Sequence, residues 1–211
     1  MENTTYYIFG KGNLAVKCLD FLMKNIEKKN IVVIPEVPEP TWTDSLIKYC
    51  TQVNVKTVNF NELKIGNGNN IGISIYFSKI FKNDFIKKFD YFVNLHNGPL
   101  PRYRGVNPIN WALKNEENSH GVTLHQIESG IDSGDILDQI IFPISKEMEV
   151  IDVYNLCLEN GIKILERSIL NLNKIKPLQQ DESFATYYSK SDFENLGDRK
   201  YFTRTTEDPG S

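Results

Sequence analysis

Asn94 and His96 stand two residues apart at the end of an apolar run, YFVNLH (91–96), where the chain turns into the proline-rich loop NGPLPRYRG. Residues two apart on a strand project from the same side. An amide can donate to a developing oxyanion, and an imidazole can move a proton or stabilise charge. A carboxylate that could orient such an imidazole, Asp132, lies in the loop SGIDSGD (129–135), where Gly130 and Gly134 let backbone come close to a ligand. Each piece also has a plain reading. An Asn-x-His at a strand end can simply satisfy loop backbone, and an Asp/Gly loop between strands is ordinary turn chemistry. Two further stretches can handle anions. FGKGN (9–13) is a glycine turn entering a helix, whose amides can face an anion, with Lys11 beside them. GDRKYFTR (197–204) alternates cations with aromatics, which suits a diphosphate and a base as well as a solvated edge. FGKGN lacks both GxGxxG and GK[ST], so neither nucleotide-cofactor motif is present. His120 reads as a turn residue and His125 as either core or site-facing. No HxxxH or paired-cysteine spacing exists, so no metal site is expected.

These residues need a scaffold that ends strands at one edge. TYYIFG, then helical spacing at Leu14, Val16, Leu19, Leu22 and Met23, reads as strand, glycine loop, helix. NIVVIPE (30–36), VKTVNF (55–60), NIGISIYF (70–77) and YFVNLH read as strands. TWTDSLIKYCTQ reads as a helix capped by Thr41 or Thr43, and FKNDFIKKF as a short helix. The order β-α-β-α-β-β-α-β predicts an α/β domain with a Rossmann-like, mostly parallel central sheet flanked by helices. Ligands bind such sheets beyond the carboxyl ends of the strands. PINWALKNEE (108–117) follows as a helix, then two strands, HGVTLHQIE (120–128) and DILDQIIFPI (135–144). The longest helical pattern, 149–174, carries Val150, Val153, Leu156, Cys157, Ile162, Leu165, Ile169 and Leu172, with Gly161 interrupting it. The expected organisation is one catalytic domain over 1–174 and a short C-terminal extension, 175–211, forming a strand or hairpin and then a disordered tail.

A chain of 211 residues can bury a full core. Its net charge of −3 offers no general basic field for nucleic acid. No run of about 18 apolar residues spans a membrane, and the N-terminal residues do not form a signal peptide. Three separated cysteines, Cys18, Cys50 and Cys157, read as reduced core thiols, which points to the cytoplasm.

Taken together, NLHNGPLPRYRGVNPINWALKNEENSHGVTLHQIESGIDSGDIL (94–137) resembles the formyltransferases that use N10-formyltetrahydrofolate. The pattern is Asn-x-His, a proline loop, an Arg-Gly turn, a Pro-x-x-Trp-Ala helix, Gly-Val-Thr, and an Asp-x-Gly loop. It departs from the family at Gly98 and Pro99, where a serine and a leucine are usual. The resemblance implies the formyltransferase fold and a catalytic set of Asn94, His96 and Asp132. It also implies folate as co-substrate, held near Phe77, Ser78, Lys79 and Ile80 and near Glu128, Ser129, Gly130 and Ile131. SIYFSKIF (74–81), TYYSKSDF and RKYFTR bring the chain nearest to the sugar N-formyltransferases, which act on nucleotide-linked amino sugars, usually dTDP-linked, for O-antigen, lipopolysaccharide or related surface glycans. In that reading Lys11, Tyr76, Asn97, Gly98, Arg102, Arg104, Arg199, Lys200, Phe202 and Arg204 meet the sugar nucleotide, and the protein is a homodimer. The branch acting on initiator methionyl-tRNA carries an extra C-terminal domain, for which this chain has only a short tail. A glycinamide-ribonucleotide-type or other small-amine transferase, a formate-releasing hydrolase, and a non-catalytic folate- or nucleotide-binding module on the same fold are the alternatives.

Overall fold

A computed structural model describes residues 4–197. The chain forms two compact units, Met1–Leu95 and His96–Ser211. Arg199, Lys200, Phe202, Arg204 and the expected disordered tail lie outside the described residues.

In the first unit β1 (Thr5–Gly10), α1 (Gly12–Asn25), β2 (Ile31–Pro35), α2 (Leu46–Gln52), β3 (Asn70–Ile75), α3 (Asn83–Ile86) and β4 (Tyr91–His96) follow in chain order. The strands pair in the order β2-β1-β3-β4, all parallel. The β1–β3 junction is therefore where the strand order reverses, the position at which open α/β sheets form a crevice. There the Lys11 amide donates to the Ile75 carbonyl at 3.3 Å. The α/β class, parallel sheet and flanking helices expected from the alternation are present.

Two expectations fail locally. VKTVNF makes only a single parallel bridge, Val33 to Thr57, and Phe60 already begins a 3-10 turn. Lys56, Thr57 and Asn59 are exposed, so the segment has little apolar face to bury. Helix α2 is capped by Ser45, whose hydroxyl accepts from the Lys48 amide, and not by a threonine. Thr43 serves α1 instead: its Oγ1 accepts from the Asn13 amide at 3.1 Å. That amide of the glycine loop is thus already satisfied within the chain.

On one face of this sheet α1 buries Leu14, Ala15, Cys18, Leu19 and Leu22. Elsewhere in the unit the core is built of phenylalanine. Phe9 is fully buried and its ring lies 5.3–6.3 Å from those of Phe60, Phe77, Phe81, Phe85, Phe89 and Phe92. Edge-on and tilted pairs at these separations are favourable.

The second unit contains β5 (Arg104–Gly105), α4 (Pro108–Lys114), β6 (Ser119–Gln126), β7 (Ile136–Pro143), α5 (Val150–Ser168) and β8 (Tyr187–Tyr188). Strands β6 and β7 form an antiparallel pair with a bulge between Leu124 and His125, and α5 packs on both. Helix α5 runs straight through Gly161, which is buried; packing of this face outweighs the weak helix propensity of glycine. Of the strand or hairpin expected after residue 174, the described residues form a two-residue strand, β8, pairing in parallel with β5. All three cysteines are free and buried, and burial pushes Cys18 and Cys50 up to about 12 and about 11. No helix among the described residues is long and apolar enough to cross a membrane.

Truncating the central ring tests this core. Phe9→Ala should lower stability by about 3–5 kcal/mol, read by chemical denaturation; a loss under 1 kcal/mol would show that the ring cluster is not the keystone of the first unit.

Candidate active site

Strand β4 ends at His96, and Asn94 projects from the same side of the strand two residues earlier. On β3 the residue paired with Asn94 is Ser74. The His96 ring is buried, and its Nε2 lies 2.7 Å from the Tyr103 carbonyl, to which it can only donate. Tyr103 presents that carbonyl because its backbone is left-handed, with φ of 63°. Its amide donates to Thr186 Oγ1, its hydroxyl donates to Glu117 and accepts from Asn115, and its ring stacks on Tyr188.

With Nε2 protonated, the other His96 nitrogen, Nδ1, carries the lone pair. It faces Asp132 Oδ2 at 3.6 Å, too long for a direct hydrogen bond. Asp132 Oδ1 faces a second imidazole, with His125 Nε2 at 3.4 Å, and Oδ2 accepts from the Gly105 amide at 2.8 Å. The Asp132 side chain is only 13% exposed. Burial pushes its carboxyl up, but the two imidazoles and the Gly105 amide outweigh burial and hold it well below the usual carboxylate range. Burial pulls His96 below its ordinary value, against the upward pull of Asp132. At neutral pH the arrangement is an ionised carboxylate beside a neutral imidazole. Such a pair can take up a proton at Nδ1 and stabilise the resulting imidazolium.

The loop after His96 is held close to it. A Cβ on Gly98 would lie 2.7 Å from His96 Nε2, so a glycine here is what this approach allows. The Gly98 carbonyl accepts from Thr123 Oγ1 at 2.6 Å, and the same hydroxyl accepts from Leu100 N and Gln139 Nε2. Asn97 is buried and its carbonyl lies 2.7 Å from His120 Nε2. His120 is therefore a fully buried residue of β6, not the surface-turn residue its polar neighbours indicated. Its Nδ1 is buried and has no hydrogen-bond partner. Burial pulls its pKa down to about 4.

The remaining candidates divide sharply. Arg104, expected to meet substrate, is 8% exposed and its fork is taken: Nε and Nη2 donate to Gln180, and Nη1 and Nη2 to Glu182. Arg102 is half-exposed, pairs with Glu117 and lies over the Tyr103 ring. In the first unit Tyr76 is left-handed at φ 57°, and Phe77 joins the phenylalanine core. There Ser78 N and Oγ donate to Glu36, Lys79 lies over the Phe60 ring, and Ile80 is 76% exposed. Lys11 precedes α1. In the second unit Glu128, Ser129, Gly130 and Ile131 are exposed. Among the described residues no group of three or more His, Cys, Asp or Glu side chains is placed to hold a metal ion.

Sequence reading left His125 undecided and missed Gln180. The first had a signal, since it alternates with Thr123 on one strand; the bulge beside it re-aims its ring.

A parallel β/α unit whose last strand delivers an Asn-x-His end, with the histidine set against a buried aspartate, defines the class: the chain belongs to the formyl transferase family, whose model matches residues 67–169. Among solved structures it is similar to WlaRD, a sugar 3N-formyl transferase crystallised with dTDP and 5-N-formyl-THF, at 36% identity and TM-score 0.81, covering 90% of this chain and 70% of that one. It is also similar to an N-formyltransferase from Helicobacter canadensis, in complex with folinic acid and dTDP-3-aminofucose. That match has 32% identity and TM-score 0.79, over 90% of this chain and 72% of that one. In sequence it is 36% identical over 121 residues to the bifunctional polymyxin resistance protein ArnA of Wigglesworthia glossinidia brevipalpis, 56% of this chain and 18% of that protein. The chain spans 33% or less of the length of the first curated relatives it matches.

His120 makes stability pH-dependent. Its folded pKa of about 4 lies below the ordinary 6.5, so the unfolded chain binds more protons between those values. Stability should therefore fall as pH drops through that window, by on the order of 3 kcal/mol from this group. His120→Gln, which keeps a donor for the Asn97 carbonyl, should lessen the pH dependence of Tm between 6.5 and 4, the remaining slope coming from His96, whose pKa burial also pulls down. An unchanged slope would remove His120 as its source.

Proposed function

We propose that this protein transfers a formyl group from N10-formyltetrahydrofolate to the amine of a dTDP-linked amino-deoxy sugar. The observation that carries the reading is the match to two sugar N-formyltransferase structures at 36% and 32% identity, each over 90% of this chain. The His96–Asp132 pair supplies the matching chemistry. Both relatives are described with a 3-amino sugar or as 3N-transferases, which favours an amine at C3; a 4-N formyltransferase from Francisella tularensis shares the fold at 22% identity.

In the proposed reaction the neutral amine attacks the formyl carbon, and the carbonyl oxygen becomes an oxyanion to which the Asn94 amide donates. The amine's proton passes to the His96–Asp132 pair. The bond from N10 to the formyl carbon then breaks, and N10 leaves with a proton as tetrahydrofolate. Holding both substrates together supplies much of the acceleration. The pterin is assigned to the 77–80 and 128–131 segments. The sugar nucleotide is assigned to Lys11, Tyr76, Asn97, Gly98 and Arg102, with Arg199, Lys200, Phe202 and Arg204 as further contacts. Arg104, bonded to Gln180 and Glu182, is given a supporting part in this proposal rather than a direct contact. The buried free thiols support a reducing cytoplasmic compartment. A homodimer, and a product destined for O-antigen, lipopolysaccharide or another surface glycan, complete the proposal on family likeness.

Mass spectrometry of purified protein with N10-formyltetrahydrofolate and a panel of dTDP- and UDP-linked 3- and 4-amino sugars tests this. The expected product is a dTDP-3-formamido sugar. Formate released without acceptor would support a hydrolase. Formylation of initiator methionyl-tRNA alone would support the activity named for curated relatives that match at 36–39% identity. Asn94→Ala and His96→Ala should each lower kcat by roughly 10²–10³-fold while the protein stays folded. The kcat of the parent should fall on the acid side below the ordinary histidine value, as His96 gains its proton. Asp132→Asn removes the charge that raises His96, so this acid limb should move to lower pH; a limb that stays put would separate the aspartate from the imidazole.

A further inference from the structure

Asp132 has a backbone φ of 50°, in the left-handed region that side-chain-bearing residues rarely adopt. What holds it there comes from a distant part of the second unit. Gln180 is 6% exposed, and its Nε2 donates to the Asp132 carbonyl at 2.8 Å and to the Gly134 carbonyl at 2.7 Å. Its Oε1 accepts from Arg104 Nε at 3.1 Å and Nη2 at 2.8 Å. An arginine can only donate and a carbonyl can only accept, so the amide has one possible orientation and all its polar atoms are used. The residue after Arg104, Gly105, donates its own amide to Asp132 Oδ2. Two consecutive residues of β5 therefore hold the aspartate, one by its carboxylate directly and the other by its carbonyl through Gln180. Gly105 can occupy this place because a Cβ there would meet the Tyr188 carbonyl of β8 at 2.1 Å.

We infer that Gln180 is a positioning residue for the reaction: it locks the left-handed Asp132 so that Oδ2 stays opposite His96 Nδ1 and Oδ1 opposite His125 Nε2. It lies outside residues 67–169 matched by the family model, and the inference rests on the formyl-transfer reading of the His96–Asp132 pair. A merely structural staple would lower Tm and leave the folded enzyme's turnover intact. A positioning residue changes turnover and the titration of His96, whose ring faces Asp132, His125 and the Tyr103 carbonyl, with His120 beyond.

The test uses the full chain. Gln180→Met keeps the side chain's length and removes both donors and the acceptor without adding charge. At a temperature well below its Tm it should lose about 10-fold or more in kcat, with KM for folate and sugar nucleotide within about 3-fold. The NMR titration of His96 should move to lower pH, as in Asp132→Asn. In the Asp132→Asn background Gln180→Met should cause no further loss beyond about 2-fold, since the two act through one group. If Gln180→Met does not fold, Arg104→Lys, which cannot present the fork to Oε1, should show the same pattern at smaller amplitude. A kcat within 2-fold of the parent with an unmoved His96 titration, losses that multiply in the double variant, or failure of both variants to fold would each overturn the inference. If the parent formylates no acceptor yet Gln180→Met still moves the His96 titration as Asp132→Asn does, the functional reading falls and the positioning role stands.

Discussion

The second unit is organised around one buried anion. A carboxylate withdrawn from water as far as Asp132 is carries a desolvation cost that only nearby donors and charges can offset. Three groups face it: the Gly105 amide, His96 and His125. Backbone irregularity gathers at two of these groups and at the aspartate itself. Gly105 sits at φ +90° against the β8 backbone, His125 follows a bulge in β6, and Asp132 itself is left-handed. Strain that collects around one carboxylate is what a site shows when geometry matters more than local comfort.

The loop from Asn97 to Gly105 is the second half of that arrangement. It begins at His96 and returns to Asp132, so its shape sets the distance between them. The shape is set by buried and part-buried polar groups that satisfy one another. Thr123 uses its one donor and two acceptor positions on Gly98, Leu100 and Gln139, and Gln139 also donates to the Leu100 carbonyl. The Tyr103 ring is stacked against Tyr188, which lies on Trp111. A satisfied network of this kind has one good conformation and few near neighbours. The tautomer of His96 follows from it, because the Tyr103 carbonyl claims Nε2 and leaves Nδ1 for the carboxylate.

The sheet of the first unit was legible in the sequence because its strands are buried runs of β-branched and aromatic residues. Period and composition report burial directly in such segments. VKTVNF carried the same composition without the burial, and it paired at one residue only. The strand-end pair Asn94 and His96 and the aspartate loop were legible as pieces; their conjunction came from spaced motifs. His120 was misread because SHG looks like turn chemistry, whereas the strand begins one residue before it, at Ser119. The partners of Arg104 were illegible for a different reason. A cation in a basic loop looks available, and its contacts with Gln180 and Glu182 lie more than seventy positions away. Such contacts leave no periodic trace.

That last class of contact says where the working parts of the molecule end. Residues matched by the family model stop at 169, yet Gln180, Thr186 and Tyr188 hold Asp132 and Tyr103 from beyond it. The segment after α5 thus makes direct contacts with Asp132 and Tyr103 within the second unit. The division has a physical logic. Groups that touch reacting atoms must keep their chemistry, so they recur in recognisable spacing. Groups that hold those residues need only supply a donor, an acceptor or a ring at the right point, and many sequences can do that. Supporting contacts of this kind can therefore come from a segment that carries no recognisable motif, as those of Gln180, Thr186 and Tyr188 do.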